Sequence, residues 1–307
     1  MTLPEPAVVP FAPAVPTPAR AARAIVWMLG GSALFSAMAT FVAFAHHREP
    51  DLSTFTSSAF RSVVNLLVLV ALAWRAPLRL FGDARPALWA RGLFGGVALL
   101  SYFAALRYLS VGEAAFLNQT SAVWVALLAP WLLGQRTSAA AWVAILGSLG
   151  GVALLAHPRP GVDDTLGRAL GLVSGVAAAG AYVSVSKAAA TNPPTTIVFW
   201  FTLVSSTASV ALFFATGARL PHDVVTAGYL VGAGLSAAAA QLLMTAAYRD
   251  GHVASVAAAG AASPLLTTLL GWGLLDQVPD SRARVGMGIL VVCSAVLPFW
   301  GSRGPAK

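Results

Sequence analysis

Ten apolar stretches, near residues 24–45, 52–74, 87–107, 111–133, 138–156, 166–189, 195–216, 224–248, 252–275 and 284–300, leave almost no sequence over for a water-soluble surface. Most reach the roughly 17 to 25 residues that an α-helix needs to cross the hydrocarbon of a bilayer. The fifth and tenth are the shortest. Charged residues make up only 10% of the 307-residue chain, and 58% of it is hydrophobic. Average soluble proteins carry about 25% charge, so lipid must be the solvent for most of this chain. The pattern predicts an all-α membrane protein with ten transmembrane helices.

Residues 104–155 and 244–297 are two versions of one helix-turn-helix-turn-helix stretch, offset by about 140 positions. Each half supplies five spans, an odd number, so the second half must enter the membrane from the opposite side to the first. The expected architecture is therefore two inverted five-helix repeats, 24–156 and 165–300, the plan on which many secondary transporters are built. The first 23 residues carry six prolines and no apolar period, and they read as a disordered cytoplasmic tail. Residues 301–307 form a second tail.

Lysine and arginine set the orientation. With the N-terminus inside, eleven of them, including Arg23, Arg75, Arg91 and Arg249, count toward the cytoplasmic side, and seven, including Arg48, Arg168 and Arg219, toward the other. Asymmetry of this kind in short loops orients such chains, which places both termini in the cytoplasm and the protein in the cell membrane. The net charge of +8 is then a product of topology, and it gives no support to a nucleic-acid partner. The single cysteine, Cys293, excludes an internal disulfide and a cysteine metal cluster. His46 and His47 fall in a loop and imply no metal, and nothing calls for a cofactor. A homodimer is compatible with the sequence.

Glycines recur at four-residue spacing at 92 and 96, 147 and 151, 167, 171 and 175, and 228 and 232. Lipid gives no hydrophobic drive for helix association, so such faces point to close backbone packing.

The repeat also carries a resemblance. Ala105-Leu106-Arg107-Tyr108, Asn118-Gln119-Thr120-Ser121-Ala122 and Leu132-Leu133-Gly134-Gln135-Arg136 are matched in the second half by Ala246-Ala247-Tyr248, Ala262-Ser263-Pro264 and Leu274-Leu275-Asp276-Gln277. Over residues 24–300 the chain resembles the EamA domain of the drug/metabolite transporter superfamily. The resemblance implies a ten-helix transporter, with a Ser-Pro step in the fourth and ninth spans followed by Gly-Glu. This chain has Ala122 and Gln135 at those positions in the first half, and Pro264 and Asp276 in the second. A proline kinks a helix, so the ninth span is expected to bend more than the fourth.

Arg61 is the residue most expected to carry chemistry. It lies about nine residues into the second span, with Asn65 one turn on. An arginine near a helix centre costs about 2.5 to 3.5 kcal/mol on insertion scales, so it should face the protein interior. The resemblance agrees, because many EamA-type chains have an arginine early in this helix. Two roles stand open: a structural pair with Glu113 or with backbone carbonyls, and an anchor for a carboxylate or phosphate on a solute, which the guanidinium fork matches. Tyr102, Asn118, Gln119, Trp124, Tyr182 and Gln241 are further candidates for a solute-binding cavity, with Trp200 and Tyr248 also among the aromatic residues within spans. No counterpart of Arg61 occurs in the seventh span, residues 199–206, so a solute is expected nearer the first half, with the second half as the moving wall.

No span holds a deep acid, which argues against proton coupling through an intramembrane carboxylate. The expected function is a membrane transporter or exporter of small organic metabolites, amino acids or related anionic and zwitterionic solutes, working by alternating access. A non-transporting membrane sensor or assembly protein on the same scaffold is the alternative. An enzyme is not expected, since neither an HExxH nor a Gly-x-Gly-Asp motif is present.

Overall fold

The computed structural model describes residues 17–75, 80–83, 86–105, 108–109, 111–156, 165–276 and 278–300. Every regular element among them is a helix. In order these are α1 (Pro18–Arg48), α2 (Thr54–Arg75), α3 (Pro86–Ala105), α4 (Val111–Gln119), α5 (Ser121–Leu133), α6 (Ala139–Ala156), α7 (Thr165–Ala188), α8 (Pro194–Ala215), α9 (Val224–Asp250), α10 (Val253–Gly260), α11 (Ala262–Leu275) and α12 (Ser281–Trp300). With α4–α5 and α10–α11 each counted as one, eight helices are long and apolar enough to cross a membrane, and a shorter apolar helix covers Ala139–Leu155. The expected ten is thus met in eight, with α6 and α12 outside that set. Leu106, Arg107 and Gln277 of the repeated motifs lie outside the described residues, as do 1–16, 301–307, Arg79, Arg85 and Arg159.

The first helix starts at Pro18, inside the stretch read as a tail. The Thr17 hydroxyl accepts the Arg20 N–H, and proline occupies the first helical position, where its missing N–H costs nothing.

The two halves interleave. α1 runs along α9, α3 along α7 and α6 along α12, while α2 packs on both α8 and α9. Glycines set the closest approaches. At Gly151 an added Cβ would lie 3.0 Å from the Gly286 carbonyl of α12, and at Gly175 of α7 it would lie 2.7 Å from the Leu117 carbonyl of α4.

The fourth and ninth spans are both broken near their middles, and at matching places. Thr120 separates α4 from α5 with φ −58° and ψ −15°, and Ala261 separates α10 from α11 with φ −64° and ψ −8°. Unequal bending was the expectation, but the first half reaches the same backbone without a proline. In the second half Pro264 has no N–H for the Gly260 carbonyl. In the first, the Thr120 hydroxyl donates to the Leu117 carbonyl at 2.6 Å, offering it a local partner in place of the helical ladder.

At one end of the bundle the turn after α1 is tied to the turn before α9. Glu49 accepts the backbone N–H groups of Asp223 (3.0 Å) and His222 (3.2 Å), and Arg48 bridges to Asp223 at 2.8 Å. Donation from the Asp223 N–H is the main reason the Glu49 carboxyl titrates below its ordinary 4.5. A depressed carboxylate pKa contributes stability above the unfolded value and loses it as pH falls through the folded one. Thermal stability of Glu49→Gln should therefore fall below wild type at neutral pH, and the two should converge as the pH drops below about 4.5.

Candidate functional site

The packing of α1, α3, α7 and α9, with the broken spans beside them, leaves an open cavity of about 490 Å³. Both repeats line it. Its polar groups are Ser32 from α1, Arg61 from α2, Arg91 and Tyr102 from α3, Asn118 and Gln119 from α4, Tyr182 from α7, Gln241 and Tyr248 from α9, and Ser263, Thr267 and Thr268 from α11. Among the described residues no aspartate or glutamate is on its wall.

Arg61 comes from α2, with Ser58 and Ser62 on either side hydrogen-bonding to Ser209 of α8. The Ser206 hydroxyl also donates to the Ser62 carbonyl at 2.9 Å, so this turn of α2 is pinned against α8. The guanidinium faces the cavity beside Tyr102. Among the described residues it makes no ion pair. Glu113, the acid considered as its partner, instead holds Arg168 of α7 at 3.3 Å.

Arg91 was counted with the cytoplasmic side from sequence, and the structure corrects this. It is 2% exposed, within α3. Its guanidinium stacks 4.2 Å over the Phe201 ring of α8, and one Nη donates to Gln241 Oε1 at 3.1 Å, while Nε has no partner. The side chain folds along α3 toward Gly95, where a Cβ would fall on the guanidinium and on Phe201. The Lys/Arg bias without Arg91 stands at ten against seven, still in the same direction.

Six of the eight sequence candidates come together on the wall: Arg61, Tyr102, Asn118, Gln119, Tyr182 and Gln241. Asn118 donates to the Ser174 hydroxyl of α7, and Tyr182 stacks on Tyr248 with centroids 4.9 Å apart. Asn65 and Trp124 lie off the wall. Asn65 is buried with its Oδ1 unpartnered, and Trp124 packs on the main hydrophobic core. At the break in the ninth span the Ser36 hydroxyl of α1 reaches the Ser263 carbonyl at 3.0 Å, which fixes the kinked segment against α1.

A cavity at mid-bundle between two broken spans, one from each half, is the arrangement in which transporters hold their solutes. The family model described as the EamA-like transporter family matches residues 22–156 and 165–298. The chain belongs to the EamA-like transporter family. As a member of that family it is a multi-pass membrane protein and a transporter of the drug/metabolite type. Its EamA relatives include the pseudopaline exporter CntI of Pseudomonas aeruginosa, 26% identical over 237 residues that span 77% of this chain and 83% of that protein. A riboflavin transporter of Rhizobium johnstonii is 24% identical over 206 residues, 66% of this chain and 67% of the other. An uncharacterized transporter of Helicobacter pylori is 25% identical over 255 residues, covering 78% of this chain and 82% of its own. A crystal structure with 20% sequence identity superposes on 92% of this chain and 99% of its own with a TM-score of 0.78, so the two share a fold.

Proposed function

We propose that this protein moves small organic anions or zwitterions, amino acids and their derivatives among them, across the cell membrane by alternating access about the cavity. In this reading ten helices cross the bilayer as two inverted five-helix repeats with both termini in the cytoplasm. The observation that carries it is Arg61, a guanidinium facing an acid-free cavity with no ion pair among the described residues. A charge at that depth costs about 2.5 to 3.5 kcal/mol, and a solute carboxylate or phosphate offers the bidentate bonds that offset it. Tyr102, Asn118, Gln119, Tyr182 and Gln241 supply neutral donors and acceptors around the rest of the solute, while Asn65 and Trp124 support the wall from behind.

Mixed helix pairs replace the second half as the expected moving wall, because α1 lies on α9 and α3 on α7. Among the described residues the cavity offers no carboxylate to carry protons, which speaks against proton coupling at that site. The relatives' named cargoes, pseudopaline and riboflavin, are the first probes to add to an amino-acid panel. Counterflow into liposomes holding the purified protein tests the reading. Saturable exchange of anionic or zwitterionic solutes is expected, and exchange of lipophilic cations alone would overturn it.

A further inference from the structure

The cavity holds two arginines at different depths, and their spacing bears on what the solute looks like. Arg61 sits beside Tyr102 of α3. Arg91 belongs to the same helix as Tyr102, and its guanidinium folds up to the level of Gly95. Seven residues separate Gly95 from Tyr102, so at a rise of 1.5 Å per residue the backbone positions that mark the two cationic groups stand roughly 10 Å apart along the helix axis. Both line one continuous space with no carboxylate on its wall among the described residues. Arg91 is 2% exposed, and its contacts are a neutral amide and an aromatic face, neither of which neutralises it. Its Nε remains without a partner. A structural arginine of this burial would be expected to have an acid beside it, because a buried unpaired charge is costly.

We infer that Arg91, held by Gln241 and Phe201, is a second anion-binding subsite, and that the cavity takes an elongated solute with an anionic group at each end, one on Arg61 and one on Arg91. This rests on the reading of Arg61 as an anion anchor and adds the second charge and its distance. Gly95 is the positioning residue, since a Cβ there would push the guanidinium off Phe201.

The test is thermal stabilisation of the purified full-length protein in detergent by succinate, adipate, suberate and sebacate, with monomethyl suberate as a probe of equal length and one charge. A ligand that binds the folded state raises its apparent stability. Suberate and sebacate should give half-maximal shifts at about tenfold lower concentration than succinate or monomethyl suberate. Arg61→Gln and Arg91→Gln should each reduce suberate to the level of its half-ester. The wild-type length series decides the matter even if Arg91→Gln cannot be purified. Equal stabilisation by suberate and its half-ester overturns the second subsite, and if Arg61→Gln still weakens the half-ester, the single-anchor reading survives. No shift by any of these acids, with counterflow unaffected by Arg61→Gln, overturns both.

Discussion

Arg61→Ala should lower solute counterflow by roughly 10- to 150-fold while leaving the folded protein as stable as wild type or slightly more so. The magnitude follows from about 1.5 to 3 kcal/mol for a hydrogen bond to a charged group, at a factor of ten per 1.4 kcal/mol. The stability half follows from the guanidinium having no ion pair among the described residues to lose, and from removal of a charge from the bundle interior. Arg61→Lys should fall between the two, because it keeps the charge and loses the planar fork. Counterflow and melting temperature measured on the same preparations check both halves. A drop in melting temperature with transport intact would make Arg61 structural.

The second large effect is on the scaffold. Gly175→Val should destabilise the protein by about 1 to 3 kcal/mol, the usual cost of overpacking a close contact. An added Cβ at Gly175 meets the Thr120 hydroxyl at 2.5 Å and the Leu117 carbonyl at 2.7 Å. Both atoms belong to the hydrogen bond that breaks the fourth span, so the clash cannot be relieved without reshaping the segment that carries Asn118 and Gln119 into the cavity. Gly228→Val is the control, since nothing lies within 4 Å of the position its Cβ would take. Denaturation midpoints of the two variants should differ clearly, with Gly228→Val close to wild type.

Arg61 and Arg91 show what could be read from sequence and what could not. Arg61 stands in the midst of an apolar run, and the cost of a lipid-facing charge is enough to turn it inward. Arg91 lies only five residues into its helix and near Arg85, so hydropathy alone groups it with loop charges that orient the chain. The signal that could have moved it was the company it keeps on α3. Gly95 follows one turn later, and an arginine on the face of a helix that offers glycine to a neighbour is directed at that neighbour. Its partners Phe201 and Gln241 are more than a hundred residues away, and no local period reports them.

The broken spans divide in the same way. Pro264 announces the break in the ninth span, whereas the fourth uses a threonine hydroxyl, a bond that depends on geometry and leaves no distinctive residue behind. Asn65 lies on the same face of α2 as Arg61, yet it is one turn further along the axis and lies off the cavity wall, buried. The repeat showed two halves but not that they interleave, since the pairing of α1 with α9 is set by tertiary packing.

In the proposed cycle solutes cross through the cavity between the two repeats, which opens to each side of the membrane in turn. Cys293 is the sole cysteine, so a Cys293→Ser background carrying Gln119→Cys places one thiol on the cavity wall. A membrane-impermeant thiol reagent applied to one face of reconstituted vesicles, and then in a separate sample to the other, reads its access directly. Labelling from both faces, slowed by a transported solute, is the predicted result. A thiol that stays unlabelled from one face while the same variant carries out saturable transport would contradict alternating access through this cavity.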